Sequence, residues 1–499
     1  MARSKIILIY PPWAPVIDVG AFPPLSIASL CGVLRKEGYE VKGFDFNIVA
    51  FNRVPKKYKS FWKSDHSRYW SDKKLFYEIT FPLLLKEFCQ EWVRQILESK
   101  AQIIGFSVYF TSKWTALLLA KEIKKCGRDH TIIFGGPECS LKTAKEFLNE
   151  NVDKIVIGEG EYTLIELVNT LSKGNDIEIP GVCMRRKNGI IYGGAREPIK
   201  HLDELPFPNF ESLDLDEYKK SSNQIFLPVM WSRGCLGKCA YCGHRIVWKC
   251  YREKSPEKVV SELIYLVQTY KISNFHIYDS SITWNPNRLE KICDYIINCG
   301  LEIKWDAFGR PDKEVTKELL GKLYKAGCRE LRYGVESGSQ KILEKMGRGT
   351  NVAVMQNVIR NTWNSGIKVV VHVVAGFPGE SLKDFWKTVL FLLKNRKYLT
   401  RISPHYCEIY PGTALQKDPL RYGIIFPKGI FTNPNAWKTK YPLNTYFIRV
   451  IRYIILFLLS YYAKERTTAP NIFICILNRI KFSFQSKIKI YKTTLFKVR

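Results

Sequence analysis

From residue 6 to residue 409, short apolar runs alternate with stretches whose apolar positions recur every three to four residues. This alternation restricts the chain to α/β architectures. Ile6–Tyr10, Val41–Phe46, Ile103–Val108, Thr131–Phe134 and Lys154–Ile157 read as buried strands. Leu25–Glu37, Lys113–Lys125 and Leu141–Asn149 read as helices between them. Leu25, Ala28, Leu30, Val33 and Leu34 line one side of the first helix, and Gly38 ends it. The pattern predicts a doubly wound, Rossmann-like sheet over residues 1–171. In such sheets a ligand sits beyond the carboxyl ends of the strands. Those ends carry Pro11-Pro12, Ser107, Gly135-Gly136-Pro137 and Gly158-Glu159-Gly160. Glycine lets a ligand approach the backbone closely, although each loop taken singly is also ordinary turn chemistry.

Residues 172–223 are rich in Pro and Gly and poor in long apolar runs, and they read as a surface connector. The alternation resumes over 224–426. Ile225–Trp231, Phe275–Tyr278, Glu302–Ala307, Glu330–Gly334, Lys368–Val374 and Arg401–Ile409 are the expected strands. Pro256–Tyr270, Asn287–Cys299, Lys313–Ala326, Ser339–Lys345 and Val352–Ser365 are the expected helices. Together they predict a partial (β/α)6 TIM-like barrel. Active sites of such barrels lie at the carboxyl ends of the strands. There the sequence places Asp279, Arg310, Glu336-Ser337-Gly338 and Gly376-Phe377-Pro378-Gly379.

Between the first strand and the first helix of this barrel stands Cys235-Leu-Gly-Lys-Cys239-Ala-Tyr-Cys242. Spacings of four and three let one short loop wrap three thiolates around a cube of iron and sulfide. Four Cys complete a [4Fe-4S] cluster, so three leave one iron open to chelate an incoming amino acid. With His244 the same cysteines would make a Cys3His zinc site, for which the spacing is uncommon. Cys250 is nearby but off the pattern.

The chain has 499 residues, a formal net charge of +30 and 14 Cys. Length allows about two to four domains. The dispersed cysteines do not resemble a disulfide scaffold, and the N-terminal apolar run is too short for a secretory signal, so the expectation is a cytoplasmic protein. The basic balance suits a membrane surface, nucleic acid or an acidic substrate. In the extension 427–499, Tyr446–Ala463 is strongly apolar but interrupted by Arg449 and Arg452. Ile472–Leu477 follows, and then basic residues alternate with Ile, Phe and Leu. Two readings stay open: a helical cap on the barrel, or peripheral contact with anionic lipid on the inner face of the membrane.

The cysteine motif, with Tyr241 just before the third Cys, resembles that of radical S-adenosylmethionine (SAM) enzymes. Pro11-Pro12-Trp13, Phe22-Pro-Pro-Leu-Ser-Ile-Ala, Ile133-Phe-Gly-Gly-Pro and Val156-Ile-Gly-Glu-Gly-Glu resemble the cobalamin-binding domain of B12-dependent members. One departure is clear: the Asp-x-His-x-x-Gly string whose His ligates cobalt in many such domains is absent, and His66 after Asp65 lacks the required neighbours. The resemblance implies three cofactors: a [4Fe-4S] cluster on Cys235, Cys239 and Cys242, SAM, and cobalamin. It implies SAM contacts at Tyr241, Glu336, Ser337, Asp279, Arg310, Gly376 and Pro378, with Glu336 accepting from the ribose hydroxyls. It implies cobalamin contacts at Pro12, Ser107, Gly135, Gly136, Gly158, Glu159 and Gly160. The commonest outcome in the family is methylation of an unactivated carbon after hydrogen abstraction by a 5′-deoxyadenosyl radical. That would need a small-molecule or lipid substrate and an electron donor such as flavodoxin or ferredoxin. Oxidative ring formation of the anaerobic magnesium-protoporphyrin monoester cyclase type is an alternative, as is a radical SAM enzyme acting on RNA.

Overall fold

The five N-terminal apolar runs form the parallel core of one sheet. In the computed structural model, which describes residues 4–14, 22–63, 66–127, 129–187, 189–429 and 434–464, β1 (Ile6–Tyr10), β2 (Val41–Asp45), β3 (Ile103–Ser107), β4 (Thr131–Gly135) and β5 (Lys154–Val156) pair in the order β2-β1-β3-β4-β5. All four pairings are parallel. All five residues of β3 are buried, as expected of a central strand covered on both faces. The reversal of direction beside β1 and β3 is where a doubly wound sheet opens a crevice at its carboxyl edge.

Helices cover this sheet at Leu25–Lys36, Lys113–Cys126 and Gly160–Ser172. The expected helix Leu141–Asn149 shrinks to Ala144–Phe147. Ser140 and Thr143 bond to each other's backbone and side chains instead, and Thr143 Oγ1 donates to the Glu138 carbonyl at 2.7 Å. Such local bonds compete with a helix start. Residues 172–223, expected as a connector, add β6 (Val182–Arg186) and β7 (Gly189–Tyr192) antiparallel to the edge of the sheet beyond β5. Between β2 and β3, helical segments from Phe46–Arg53 to Lys86–Glu98 bury Trp62, Trp70 and Trp92.

Further along the chain, β8 (Leu227–Val229) is followed by β9 (Ser232–Arg233) and β10 (Arg252–Glu253), which pair with each other antiparallel. β11 (Asn274–Ile277), β12 (Lys304–Gly309), β13 (Cys328–Glu336), β14 (Lys368–Ala375) and β15 (Arg401–Tyr406) continue from β8. The sheet order β15-β14-β13-β12-β11-β8 adds each new strand on the same side. That winding is the partial-barrel pattern. Helices alternate with the strands at Pro256–Tyr270, Pro286–Asn298, Lys317–Lys325, Gln340–Met346, Val352–Asn364 and Leu382–Asn395. Ser255, Thr316 and Asn351 cap three of them, and Ser381 with Asp384 makes a capping box on a fourth.

Contacts gather the chain into two units: Met1–Gly234 with Val247–Asp279 and Asp294–Trp305, and Cys235–Ile246 with Ser280–Cys293 and Asp306–Arg499. In the second unit the apolar run near the C-terminus is the helix Tyr446–Lys464. It lies along β15, where Tyr406 meets Tyr446 and Tyr453 with ring centroids 6.0 and 5.5 Å apart. Arg449 and Arg452, which look like interruptions in the sequence, are buried. The inner side of this helix is therefore a cap on the sheet. Among the described residues no helix is long and apolar enough to cross a membrane. Ile472–Leu477 and the basic stretch after it lie outside the described residues.

Candidate active site

The approach to the cysteine loop is fixed by Asp279. Its Oδ1 accepts from the Trp231 backbone N–H at 2.7 Å and its Oδ2 from the Ser232 hydroxyl at 2.6 Å. The expected ligand contact thus has both oxygens engaged in holding the strand before Arg233. Next in the chain, a Cβ on Gly234 (φ +88°) would collide with the Cys250 carbonyl, so only glycine passes here.

Cys235, Cys239 and Cys242 are free thiols, each partly exposed. Each sulfur has one N–H donor. The Gly237 backbone donates to Cys235 Sγ at 3.3 Å, the His244 backbone to Cys242 Sγ at 3.4 Å, and Arg348 Nη1 to Cys239 Sγ at 3.4 Å. Donors on sulfur stabilise thiolate and the ligands of an iron–sulfur cluster. Among the described residues, no group of three or more His, Cys, Asp or Glu side chains is gathered closely enough for a single metal ion. Three thiolates, each with an N–H donor, are the donor set that an iron–sulfur cluster with one open iron takes.

Two turns enclose the loop. The Ala240 backbone donates to the Met346 carbonyl at 2.9 Å and draws in Gly347-Arg348-Gly349. Arg310 donates through Nη2 to the Arg348 carbonyl and through Nε to Asp312 at 2.7 Å, with its guanidinium 4.5 Å over the Trp284 ring. A Cβ on Gly237 would stand 3.3 Å from Cys235 Sγ and 3.5 Å from Arg310 Nη1, which places the expected residue Arg310 beside the cysteine loop.

Glu336 ends β13 with φ +65°, a left-handed conformation rare for a residue with a side chain. The register with β14 shifts between Gly334 and Glu336. A Cβ on Gly334 would fall 2.5 Å from Glu336 Oε1 and 3.1 Å from Arg348 Nη2. Both charged groups therefore lie over the face of the sheet that Gly334 leaves open. The Arg348 charge is reinforced: burial works against it, but the Tyr241, Glu336 and Cys239 groups outweigh burial. Arg348 is absent from the sequence-based expectations, and its one local signal is the glycine on either side.

Tyr241 packs edge-on to Phe377, with centroids 6.3 Å apart. Burial, with Glu336 adding to it, raises its phenol well above the ordinary range. Phe377 belongs to the loop Gly376–Gly379, in which Pro378 is also buried. The Gly376 N–H donates to Glu380 at 2.8 Å, and its carbonyl accepts from Asn444 Nδ2 at 2.8 Å. Ser337, another expected contact, is wholly buried and its hydroxyl serves Thr388 and the Ser339 N–H. On the neighbouring strands His372 and His405 stack at 5.5 Å, with Nδ1 of the first 3.3 Å from Nε2 of the second. Burial pushes His372 down to about 3, assisted by His405, Arg332 and Arg401, and burial also lowers His405.

In the first sheet, the carboxyl ends of β1, β3, β4 and β5 bring together Pro12, Ser107, Gly135-Gly136 and Gly158. Gly158 (φ +93°) has open space where a side chain would stand. Gly160 begins the next helix, and a Cβ there would lie 3.3 Å from Leu30. Glu159 is engaged: it pairs with Arg252 at 2.6 Å and Arg233 at 3.5 Å, and accepts from the Ile199 N–H at 2.8 Å. Beside these ends Trp13 stacks on Tyr109 at 4.8 Å and 7°, with Tyr10 edge-on to both. The buried Trp13 indole N–H faces the Tyr10 hydroxyl oxygen. An aromatic floor suits a flat macrocycle.

Residues 229–392 match the Radical SAM superfamily, so the strands and cysteine loop in that stretch form a radical SAM domain. Its relatives are more particular. The chain is similar to an uncharacterized methyltransferase of Pyrococcus horikoshii, 28% identical over 427 residues and covering 83% of each chain. It is similar to the anaerobic magnesium-protoporphyrin IX monomethyl ester cyclase of Synechocystis, 27% identical over 53% of this chain and 54% of the cyclase. In fold it is similar to the radical SAM methyltransferase TsrM of Kitasatospora setae, solved with cobalamin and a [4Fe-4S] cluster bound: the TM-score is 0.64 at 17% identity, over 90% of this chain and 84% of that one.

Proposed function

We propose that this protein is a cobalamin-dependent radical SAM methyltransferase that methylates an unactivated carbon of a small-molecule, lipid-like substrate. The observation that carries the reading is the set of three cysteine sulfurs, each with one N–H donor, beside Glu336 and Arg348. In this reading Cys235, Cys239 and Cys242 hold the cluster, Glu336 receives the ribose of SAM, and Tyr241 with Gly376 and Pro378 flanks it. Pro12, Ser107, Gly135, Gly136 and Gly158 receive cobalamin, with Trp13 and Tyr109 as an aromatic floor. When bound, the cluster with SAM supplies one-electron cleavage chemistry and cobalamin supplies a methyl carrier. The chain's own residues orient these groups and exclude water. A low-potential electron donor protein of the flavodoxin or ferredoxin kind completes the system.

The lipid-like substrate draws support from the C-terminal helix, whose outer positions Phe447, Ile451 and Leu458 are exposed. A basic, apolar stretch follows it in sequence. Ring-forming chemistry is the second reading, favoured by the similarity to the cyclase, which covers about half of each chain. The similarity to the Pyrococcus methyltransferase covers 83% and supports methyl transfer.

The test is anaerobic reconstitution of the full chain with iron, sulfide and hydroxocobalamin, followed by absorption spectra and an assay for 5′-deoxyadenosine. Bound cobalamin, a cluster and SAM cleavage together are the expected result. A cluster and cleavage without cobalamin would overturn methyl transfer and favour cyclisation. No cluster would overturn the reading altogether.

A further inference from the structure

We propose that Arg348 sets the reduction potential of the cluster through its hydrogen bond to the Cys239 sulfur, an inference that rests on the radical SAM reading above. The side chain is 7% exposed. Nη1 donates to Cys239 Sγ at 3.4 Å, and Nη2 to the Gly334 carbonyl at 2.5 Å. Both bonds go to a sulfur and a carbonyl, and although the Glu336 carboxylate stands nearby, the guanidinium points its Nη1 at the sulfur. Nε is buried without a hydrogen-bond partner.

The position is fixed from several sides. Gly347 and Gly349 take φ values of +70° and +68°, which turn the backbone sharply on either side of Arg348. Arg310 holds the Arg348 carbonyl, and the Ala240–Met346 backbone bond ties this turn to the cysteine loop. Gly334 leaves the space the guanidinium occupies.

Reduction adds one electron to the cluster, supplied by the low-potential donor, and no bond at Arg348 forms or breaks. A fixed cation beside a ligand sulfur favours the more negative, reduced state, and low local dielectric strengthens that preference. Hydrogen bonds to ligand sulfurs act in the same direction. The planar fork of arginine spans sulfur and carbonyl together, which lysine does not. Arg348 is a positioning residue in this account. It touches the ligand sulfur, not the reacting carbon.

The experiment is an electron paramagnetic resonance redox titration of the full chain, anaerobically reconstituted with iron and sulfide, for the wild type, Arg348→Gln and Arg348→Lys. The expected result is unchanged iron and sulfide content with midpoints shifted to lower potential. At the wild-type midpoint, the reduced-to-oxidised ratio should fall at least tenfold in the Gln variant, about 59 mV for a one-electron couple. The Lys variant should shift less. A Gln variant that titrates within twofold of the wild type overturns the proposal. Loss of the cluster in both variants also overturns it, because Arg348 is then a structural brace. If only the Gln variant loses the cluster, the Lys midpoint decides: shifted supports the proposal, unshifted overturns it. A wild-type protein that assembles no cluster sinks the radical SAM reading instead.

Discussion

Arg452, on the C-terminal helix, donates across 2.7 Å to Glu380, whose same oxygen accepts the Gly376 N–H at 2.8 Å. Neither charged side chain reaches solvent appreciably, at 6% and 1% exposure. The helix is thereby tied to the Gly376–Gly379 loop beside Tyr241. Arg449 adds to this tie, stacking 3.8 Å over Trp437 and donating to the Asn435 carbonyl at 2.9 Å.

Breaking the pair from one side leaves a buried charge without its partner. Arg452→Leu should cost about 3–5 kcal/mol of stability. Replacing both residues by Leu should recover much of that. Thermal and denaturant midpoints of the three variants check this. A single variant as stable as the double one would mean that the pair does not hold the helix.

Glu336 is strained for a purpose if it binds SAM. Glu336→Ala and Glu336→Gly should both weaken SAM binding at least tenfold while the cluster spectrum persists. At φ +65° the Gly variant should also be more stable than the Ala variant by about 1 kcal/mol. Equilibrium dialysis with SAM and paired melting curves measure the two effects separately. Unchanged SAM affinity in both variants would remove Glu336 from the binding site.

Much of this arrangement is legible in the sequence because it is local. The cysteine spacing is complete within eight residues, and strand periodicity marks the carboxyl ends where Pro12, Gly135 and Arg310 stand. Arg348 is not legible, because its meaning depends on Gly334, 14 residues away, and Cys239, 109 away. Arg449 and Arg452 mislead for the same reason: they interrupt an apolar run, and only their distant partners make them part of the interior. Asp279 and Ser337 have partners the sequence does not show. Trp231 and Ser232 bond to the Asp279 carboxylate and Thr388 to the Ser337 hydroxyl. Residues 46–98 escape a periodicity reading because short helical turns of differing pitch follow one another there, and the apolar positions keep no steady period.

Trp13 and Tyr109 make a floor for cobalamin testable without any substrate. Trp13→Ala removes half of the stack. Cobalamin retained after gel filtration should fall several-fold, with iron content unchanged. Equal retention in the wild type and the variant would place the macrocycle elsewhere.

Asp45 gives the first sheet a pH dependence. Its carboxylate caps the helix Phe46–Arg53 through the Asn47 and Ile48 N–H groups and accepts from the Tyr218 hydroxyl at 2.5 Å. Burial nevertheless pushes it up to about 6, against the lowering effect of those bonds. In the unfolded chain it ionises near 3.8. Below about pH 4 both states are protonated and the contribution to stability is whole. As pH rises through 4 to 6 the unfolded chain releases its proton first, so stability falls, by about 3 kcal/mol once the folded group has also ionised. Asp45→Asn keeps a capping side chain and removes the titration. Its stability relative to the wild type should therefore improve between pH 4.5 and pH 7 and then level off. Melting temperatures of both proteins across that range decide it: a difference that stays constant with pH would show that Asp45 ionises in the folded protein as it does in the unfolded chain.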